Sequence, residues 1–238
     1  MDDRPTGYLS VEAVAALRRV STATLTSQLY RRGFHNTFLS GLTALRPDLR
    51  MVGYAFTLRW VPMREDLDSG TVDNLTNVQR LAVEAVGPED VLVMDAGGDL
   101  GAGTLGNILA SRALARGATG VVTDGALRDV TGFRDIEIAS YARGGHGANS
   151  SSRFHPADMN VPIGCAGVLV MPGDVVVGDA DGVVVIPRAA AEEVALSSLE
   201  QEDLEAFVLE KIQGGAGLVG VYPPDARTRA EFDAWRGR

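Results

Sequence analysis

The 238 residues, 45% hydrophobic and 22% charged, suffice for one sizeable globular domain with a buried core. A net charge of −9, from 22 basic and 31 acidic residues, argues against a nucleic-acid partner, which calls for a basic face. One cysteine, Cys165, excludes an intramolecular disulfide, the opening MDDRPTGYLS has no apolar signal core, and no run nears the roughly 20 apolar residues of a membrane span, so a cytoplasmic protein with no membrane contact is expected.

Residues 10–32 read as helical. Ser10 caps a first segment, SVEAVAALRRV, and Ser21 or Thr22 caps a second that Gly33 ends. Residues 51–61 alternate as a half-buried strand, 62–76 are a polar loop or helix lead-in, and 76–86 form a helix stopped by Gly87-Pro88. Residues 91–94 are wholly apolar, as in a parallel sheet. A helix over about 105–116, closed by Gly117, leads to a buried strand at 120–123. A short helix at 130–137 and a strand at 139–143 follow, and 144–160 reads as a polar, glycine-rich loop carrying His146, His155 and Ser150 to Ser152. Short strands over 161–186 include Cys165 as a small core residue. A long helix spans 188–213 up to Gly214-Gly215, and the tail carries a short helix. No repeat or linker appears, so the economical reading is a single α/β domain over 1–238, with its core at about 20–190 and a C-terminal helix and arm at 188–238.

The chemistry concentrates in DAGGDLGAGTLGNILASRALARGATGVVTDGALRD, residues 95–129. Gly97, Gly98, Gly101, Gly103 and Gly106 fall within ten residues and feed a helix start, whose free N–H groups and dipole favour an anion. The spacing is neither a dinucleotide fingerprint nor a phosphate loop, and a mere tight turn is the plain alternative. Arg128 supplies a planar fork that grips a carboxylate, and Asp129 a hard oxygen ligand suited to Mg²⁺ or Mn²⁺. Such a pair suits a small keto acid held beside a divalent metal; an isolated Arg-Asp pair is otherwise a surface feature.

The 25-residue run LGNILASRALARGATGVVTDGALRD, with the later DADGVVVIPR, resembles the RraA-like proteins and the class II 4-hydroxy-4-methyl-2-oxoglutarate aldolases. The shared pattern is a Leu-Gly-Asp/Glu helix start, Ala-x-x-x-Gly-x-x-Gly, then Asp-Gly-x-x-Arg-Asp, and the likeness extends from Thr22 to Tyr222. It implies an α/β/α swivelling-domain-like fold with helical N- and C-terminal extensions. It also implies a homotrimer or homohexamer with active sites in clefts between subunits. Carried over, the helix-start backbone at Gly106, Ile108 and Leu109 and the Arg128 guanidinium would hold pyruvate, and Asp129 would support Mg²⁺ or Mn²⁺. Retro-aldol cleavage and oxaloacetate decarboxylation are the implied reactions.

One departure stands out. The family acid after Leu-Gly is Asn107 here, which can hydrogen-bond a water but cannot take its proton. Either Asp99 on the nearby loop substitutes, or the chemistry differs. The acid that the resemblance expects from a neighbouring subunit's C-terminal helix falls on Glu205, with Glu202 as the alternative. His146, His155 and the charged patch Arg59, Arg64, Glu65 and Asp68 are further candidates for the pocket, or else solvated loop residues; His35 follows a helix end. Two other functions stay open: a protein-binding regulator of ribonuclease activity, as in RraA, and a related sugar-acid keto-acid dehydratase.

Overall fold

The computed structural model describes residues 9–68 and 71–237, which form a mixed α/β fold. The chain runs α1 (Val11–Leu17), α2 (Thr22–Arg31), β1 (Thr43–Ala44), β2 (Met51–Pro62), α3 (Val78–Ala85), β3 (Asp90–Asp95) and β4 (Gly103–Leu105). It continues through α4 (Asn107–Arg116), β5 (Gly120–Thr123), β6 (Ala126–Leu127), α5 (Val130–Phe133), β7 (Ala139–Ala142), β8 (Gly144–Gly145) and β9 (Phe154–Met159). It ends with β10 (Val175–Gly178), β11 (Val183–Ile186), α6 (Ala191–Gln213) and α7 (Ala226–Arg236).

Local chemistry sets the helix ends. Ser10, Ser21 and Asn77 each accept a hydrogen bond from the backbone N–H three residues on, satisfying a donor that the first turn leaves free. Gly117 ends α4 at φ +102°, a left-handed conformation that needs no Cβ.

Among the described residues, eight strands form one sheet in the order β1-β7-β5-β3-β2-β10-β11, with β9 beside the far end of β2. Strands β2, β3, β5 and β7 run parallel, whereas β1, β9, β10 and β11 join antiparallel. Apolar residues of α3 and α4 pack on one face around Leu58, Leu92, Met94 and Phe133. The other face buries Met51, Val91, Val93, Val122 and Tyr141 beneath Ile163, Cys165 and Val170. Helices α1, α2 and α6 close over β10 and β11. A second, parallel sheet, β4-β6-β8, continues the chain beyond β3, β5 and β7, so it stands at their C-terminal edge. No helix among the described residues is long and apolar enough to cross a membrane.

Several sequence expectations change. The 144–160 segment is not one loop: it contains β8, a 3₁₀ turn at Ser150–Ser152, and β9 antiparallel to β2. Phe154 and Pro156 face the core while their neighbours face outward, which masks the strand in a polar sequence. Cys165 is buried, but in a 3₁₀ turn and not a strand. The 130–137 helix shortens to Val130–Phe133, and the 188–213 helix opens with a 3₁₀ turn at Arg188–Ala190.

Candidate functional site

The site forms where β3 and β5 end. After β3 the chain turns through Gly97 and Gly98, at φ +62° and +72°, conformations that favour glycine. Asp124, buried just past β5, holds this turn. It accepts hydrogen bonds from the N–H groups of Ala96 at 2.7 Å, Gly98 at 3.1 Å and Ala166 at 3.1 Å. Burial pushes its carboxyl pKa up, and nearby Asp95 adds to the rise, while the backbone donors and Arg143 oppose it. Asp95 binds the same turn through Gly97 N–H at 2.9 Å and also Gly164 N–H at 3.1 Å.

From this turn the chain enters β4 and then α4. Gly106 is the N-cap of α4 and offers no side-chain acceptor, so helix geometry leaves the amides of Asn107, Ile108 and Leu109 available. Ile108 is 79% exposed, which leaves that terminus open to a ligand. β6 pairs with β4 and carries the chain into Arg128, whose amide donates to Leu105 O at 2.9 Å. The Arg128 stem lies against Gly103. A Cβ on Gly103 would overlap Arg128 Cγ and sit 2.9 Å from its amide nitrogen.

Arg128 Nε is buried and has no hydrogen-bond partner among the described residues, an arrangement that costs free energy. Asp129 follows at φ +57°, a left-handed conformation that aspartate tolerates better than most side chains. Its side chain does not cap α5. Its Oδ2 lies 2.9 Å from where a Gly106 Cβ would stand, so the missing Cβ lets the carboxylate reach the α4 terminus. The dipole there favours the negative charge. Asn107 packs against Gly132, where a Cβ would lie 3.0 Å from its Cγ.

Gly106, Asn107, Ile108, Leu109, Arg128 and Asp129 therefore share one end of α4. Asp99 lies on the adjoining loop, bound to Gly101 N–H at 2.7 Å and to Arg153 Nε at 2.7 and 2.8 Å. The Gly101 amide above all holds its carboxyl below the usual range; burial opposes it, and Arg153 adds to the lowering. Glu205 is half-buried on α6 and accepts from Gln201 at 2.7 Å, whereas Glu202 caps α2 through Ser21 N and Oγ at 2.8 and 2.6 Å. His146 is exposed and accepts from Ala148 N–H at 3.1 Å; His155 pairs with Asp68 at 2.8 Å; His35 stacks on Tyr30. Asp124 is the residue that sequence pattern alone does not single out, although it lies inside TDGALRD.

The Gly103 contact makes the placement of Arg128 testable. If the resemblance holds and Arg128 grips a 2-keto acid, Gly103→Ala, whose Cβ would crowd both the Arg128 side chain and its amide, is expected to shift the fork and weaken that binding about tenfold. Pyruvate titration by calorimetry checks this; unchanged affinity would show that the contact does not position Arg128.

A family model described as RraA-like, Aldolase/RraA, matches residues 22–185. A Halalkalibacterium halodurans protein named "Putative 4-hydroxy-4-methyl-2-oxoglutarate aldolase" is 39% identical over 122 residues, 51% of this chain and 57% of that one. A Methanocaldococcus jannaschii protein is 32% identical over 113 residues, 48% of this chain and 54% of that one. The chain thus spans little more than half the length of these curated relatives. Among solved structures, RraAS2 of Streptomyces coelicolor, described as an unusual member of the RNase ES inhibitor RraA family, is 36% identical at a TM-score of 0.73, covering 85% of this chain and 98% of that one. A Pseudomonas syringae protein is 26% identical at a TM-score of 0.78, covering 91% and 99%. With its family model covering well over half of its residues and RraAS2 aligned along most of its length, the chain belongs to the RraA-like family.

Proposed function

We propose that this protein is a divalent-metal-dependent carbon–carbon lyase that releases pyruvate from a small 2-keto acid. The observation that carries the reading is the buried, unpartnered Arg128 Nε beside an open helix terminus and the Asp129 carboxylate. Arg128 binds the substrate carboxylate, and the Ile108 and Leu109 amides hold the oxygens at the reacting end. The relatives named for aldolase activity support the reaction class.

The donor set fits a hard cation. Among the described residues no cluster of three His, Cys, Asp or Glu forms a self-sufficient metal cage. Asp129 offers one carboxylate, and Mg²⁺ is commonly held by one or two carboxylates with water and substrate oxygens. Asp129 would hold Mg²⁺ or Mn²⁺ there, and the cation would supply Lewis-acid polarisation of the keto group. In the retro-aldol direction a base takes the substrate hydroxyl proton, the carbon–carbon bond breaks, and its electron pair is delocalised toward the keto group until a proton returns. Asn107 orients water but takes no proton. Asp99, or Glu205 delivered by a neighbouring copy in a homotrimer or homohexamer, serves as the proton acceptor. The hydrogen bonds to Asp99 make it a weak base.

Pyruvate formation from oxaloacetate and 4-hydroxy-4-methyl-2-oxoglutarate, measured with Mg²⁺, Mn²⁺ or chelator, tests this reading. Turnover above the metal-only background is expected with either cation, and none with chelator. Turnover that persists in chelator, or never exceeds the background, would overturn it. The RraAS2 likeness favours a second reading, inhibition of a ribonuclease by binding. Inhibition of RNase ES cleavage without pyruvate release would select that alternative.

A further inference from the structure

His146 stands beside Arg128. β8 pairs with β6 in parallel, Gly144 with Ala126 and Gly145 with Leu127, and the His146 N–H donates to Leu127 O at 2.9 Å. Arg128 and His146 are the next residues out on the two strands, and aligned residues on neighbouring strands send their side chains to the same face of a sheet. Gly103 gives an independent measure of the approach. A Cβ there would overlap Arg128 Cγ and stand 3.1 Å from His146 O, so the Arg128 stem and the His146 backbone converge on one point. Past His146 the chain curls back onto β4, where the Gly103 N–H donates to Ala148 O at 3.0 Å.

The imidazole is fixed at one nitrogen and free at the other. His146 Nδ1 accepts the Ala148 N–H at 3.1 Å. A backbone amide can only donate, so Nδ1 holds a lone pair and the single proton of the neutral ring sits on Nε2. Nε2 has no hydrogen-bond partner among the described residues, and His146 is exposed. The other two histidines differ: His155 is paired with Asp68, and His35 stacks on Tyr30. The locked tautomer excludes one role and leaves another. An Nε2 that already carries the proton is a donor and not a base, and a second proton on Nδ1 would break the Ala148 bond. A carboxylate has about four lone-pair sites, and the Arg128 fork takes at most two of them.

We propose that His146 is a substrate-binding residue whose Nε2–H donates to an oxygen of the 2-keto acid held by Arg128. The assignment rests on the keto-acid reading of the Arg128 site. A neutral donor adds a directed hydrogen bond to the anion and brings no second cation, with its desolvation cost, into the site. His146 therefore strengthens binding and fixes the tilt of the bound oxygen, and it leaves the proton acceptor of the reaction to another group.

Two variants separate the two nitrogens. His146→Asn removes the Nε2 donor and keeps an acceptor for the Ala148 N–H, in the same two-residue turn by which Asn149 Oδ1 accepts the Ser151 N–H at 3.3 Å. His146→Gln returns an N–H donor near the reach of Nε2. With Mg²⁺ present, calorimetry should show pyruvate binding about tenfold weaker in His146→Asn at unchanged Tm, and partly recovered in His146→Gln. Imidazole nitrogen NMR reads the ring itself. The chain has three histidines, and the signal missing from His146→Asn identifies His146. At mildly alkaline pH the ring should carry its proton on Nε2, and pyruvate should shift that Nε2 signal saturably. A proton on Nδ1, an Nε2 signal unmoved at saturating pyruvate, or native pyruvate affinity in His146→Asn would overturn the proposal. So would turnover lost in His146→Asn at native affinity, which would make the ring a proton carrier. A pyruvate-dependent shift without metal-dependent pyruvate release from 2-keto acids would support the donor and sink the lyase reading; pyruvate release with a His146 signal indifferent to pyruvate would do the reverse.

Discussion

Arg128→Ala is expected to lower kcat/KM for pyruvate release about 10³-fold, or ~4 kcal/mol of transition-state stabilisation, the upper end of what a lost preorganised donor costs. The guanidinium is the permanent positive charge beside the α4 terminus, and in this reading it meets the substrate carboxylate with two parallel hydrogen bonds. Arg128→Lys keeps the charge and loses the fork, so it should recover only part of the rate. Stability should hold in both variants, because the buried Nε of Arg128 has no hydrogen-bond partner among the described residues to lose. Steady-state kinetics beside thermal unfolding separate these effects. Full activity in Arg128→Ala would remove Arg128 from the site. A loss of activity matched by a large fall in Tm would recast it as a structural residue.

The elements with local signals were legible in the sequence. Ser10 and Ser21 do cap their helices, Gly117 does close α4, and the wholly apolar 91–94 run does lie inside a parallel sheet. The grouping of Gly106, Asn107, Arg128 and Asp129 was legible too, because a short βαβ connection brings the end of one strand to the end of its neighbour. Features set by distant partners were hidden. β9 owes its existence to pairing with β2 across roughly 95 residues of chain, and its outward polar positions resemble a loop. Trp60 and Arg80 read as ordinary core and helix residues. That Trp60 Nε1 and Arg80 Nε have no hydrogen-bond partner among the described residues appears only in the folded structure. Asp124 was visible as a motif letter, but its three backbone donors come from segments 28, 26 and 42 residues away.

Those three donors make the loss of Asp124 costly to the fold. Asp124→Ala leaves the Ala96 N–H unpaired at a buried position and the Gly98 and Ala166 N–H groups unpaired at half-buried ones. An orphaned donor costs about 1–3 kcal/mol, and removing a buried carboxylate recovers part of its desolvation, so a net loss of about 3 kcal/mol is expected. For a chain of this size that corresponds to a Tm lower by roughly 6–12 °C. Asp124→Asn is not a neutral exchange. Its oxygen can serve the donors on one side, but its NH₂ then faces an N–H on the other, so about half the loss should remain. The pH dependence has a definite sign. The folded carboxyl pKa lies above its unfolded value of about 3.9, so the folded state binds this proton more tightly. The Asp124 contribution therefore weakens as pH rises from the unfolded value through the folded one, and Asp124→Asn should erase that slope. Thermal unfolding of the three proteins across that interval checks both claims, and equal Tm values would show that the carboxylate does not hold the turn. Hydrogen exchange links this to function. If Asp124 sets the path from Gly97 to Gly106, the amides of Ala96 and Gly98 should lose protection in both variants, and affinity for a 2-keto acid at the α4 terminus should fall with them.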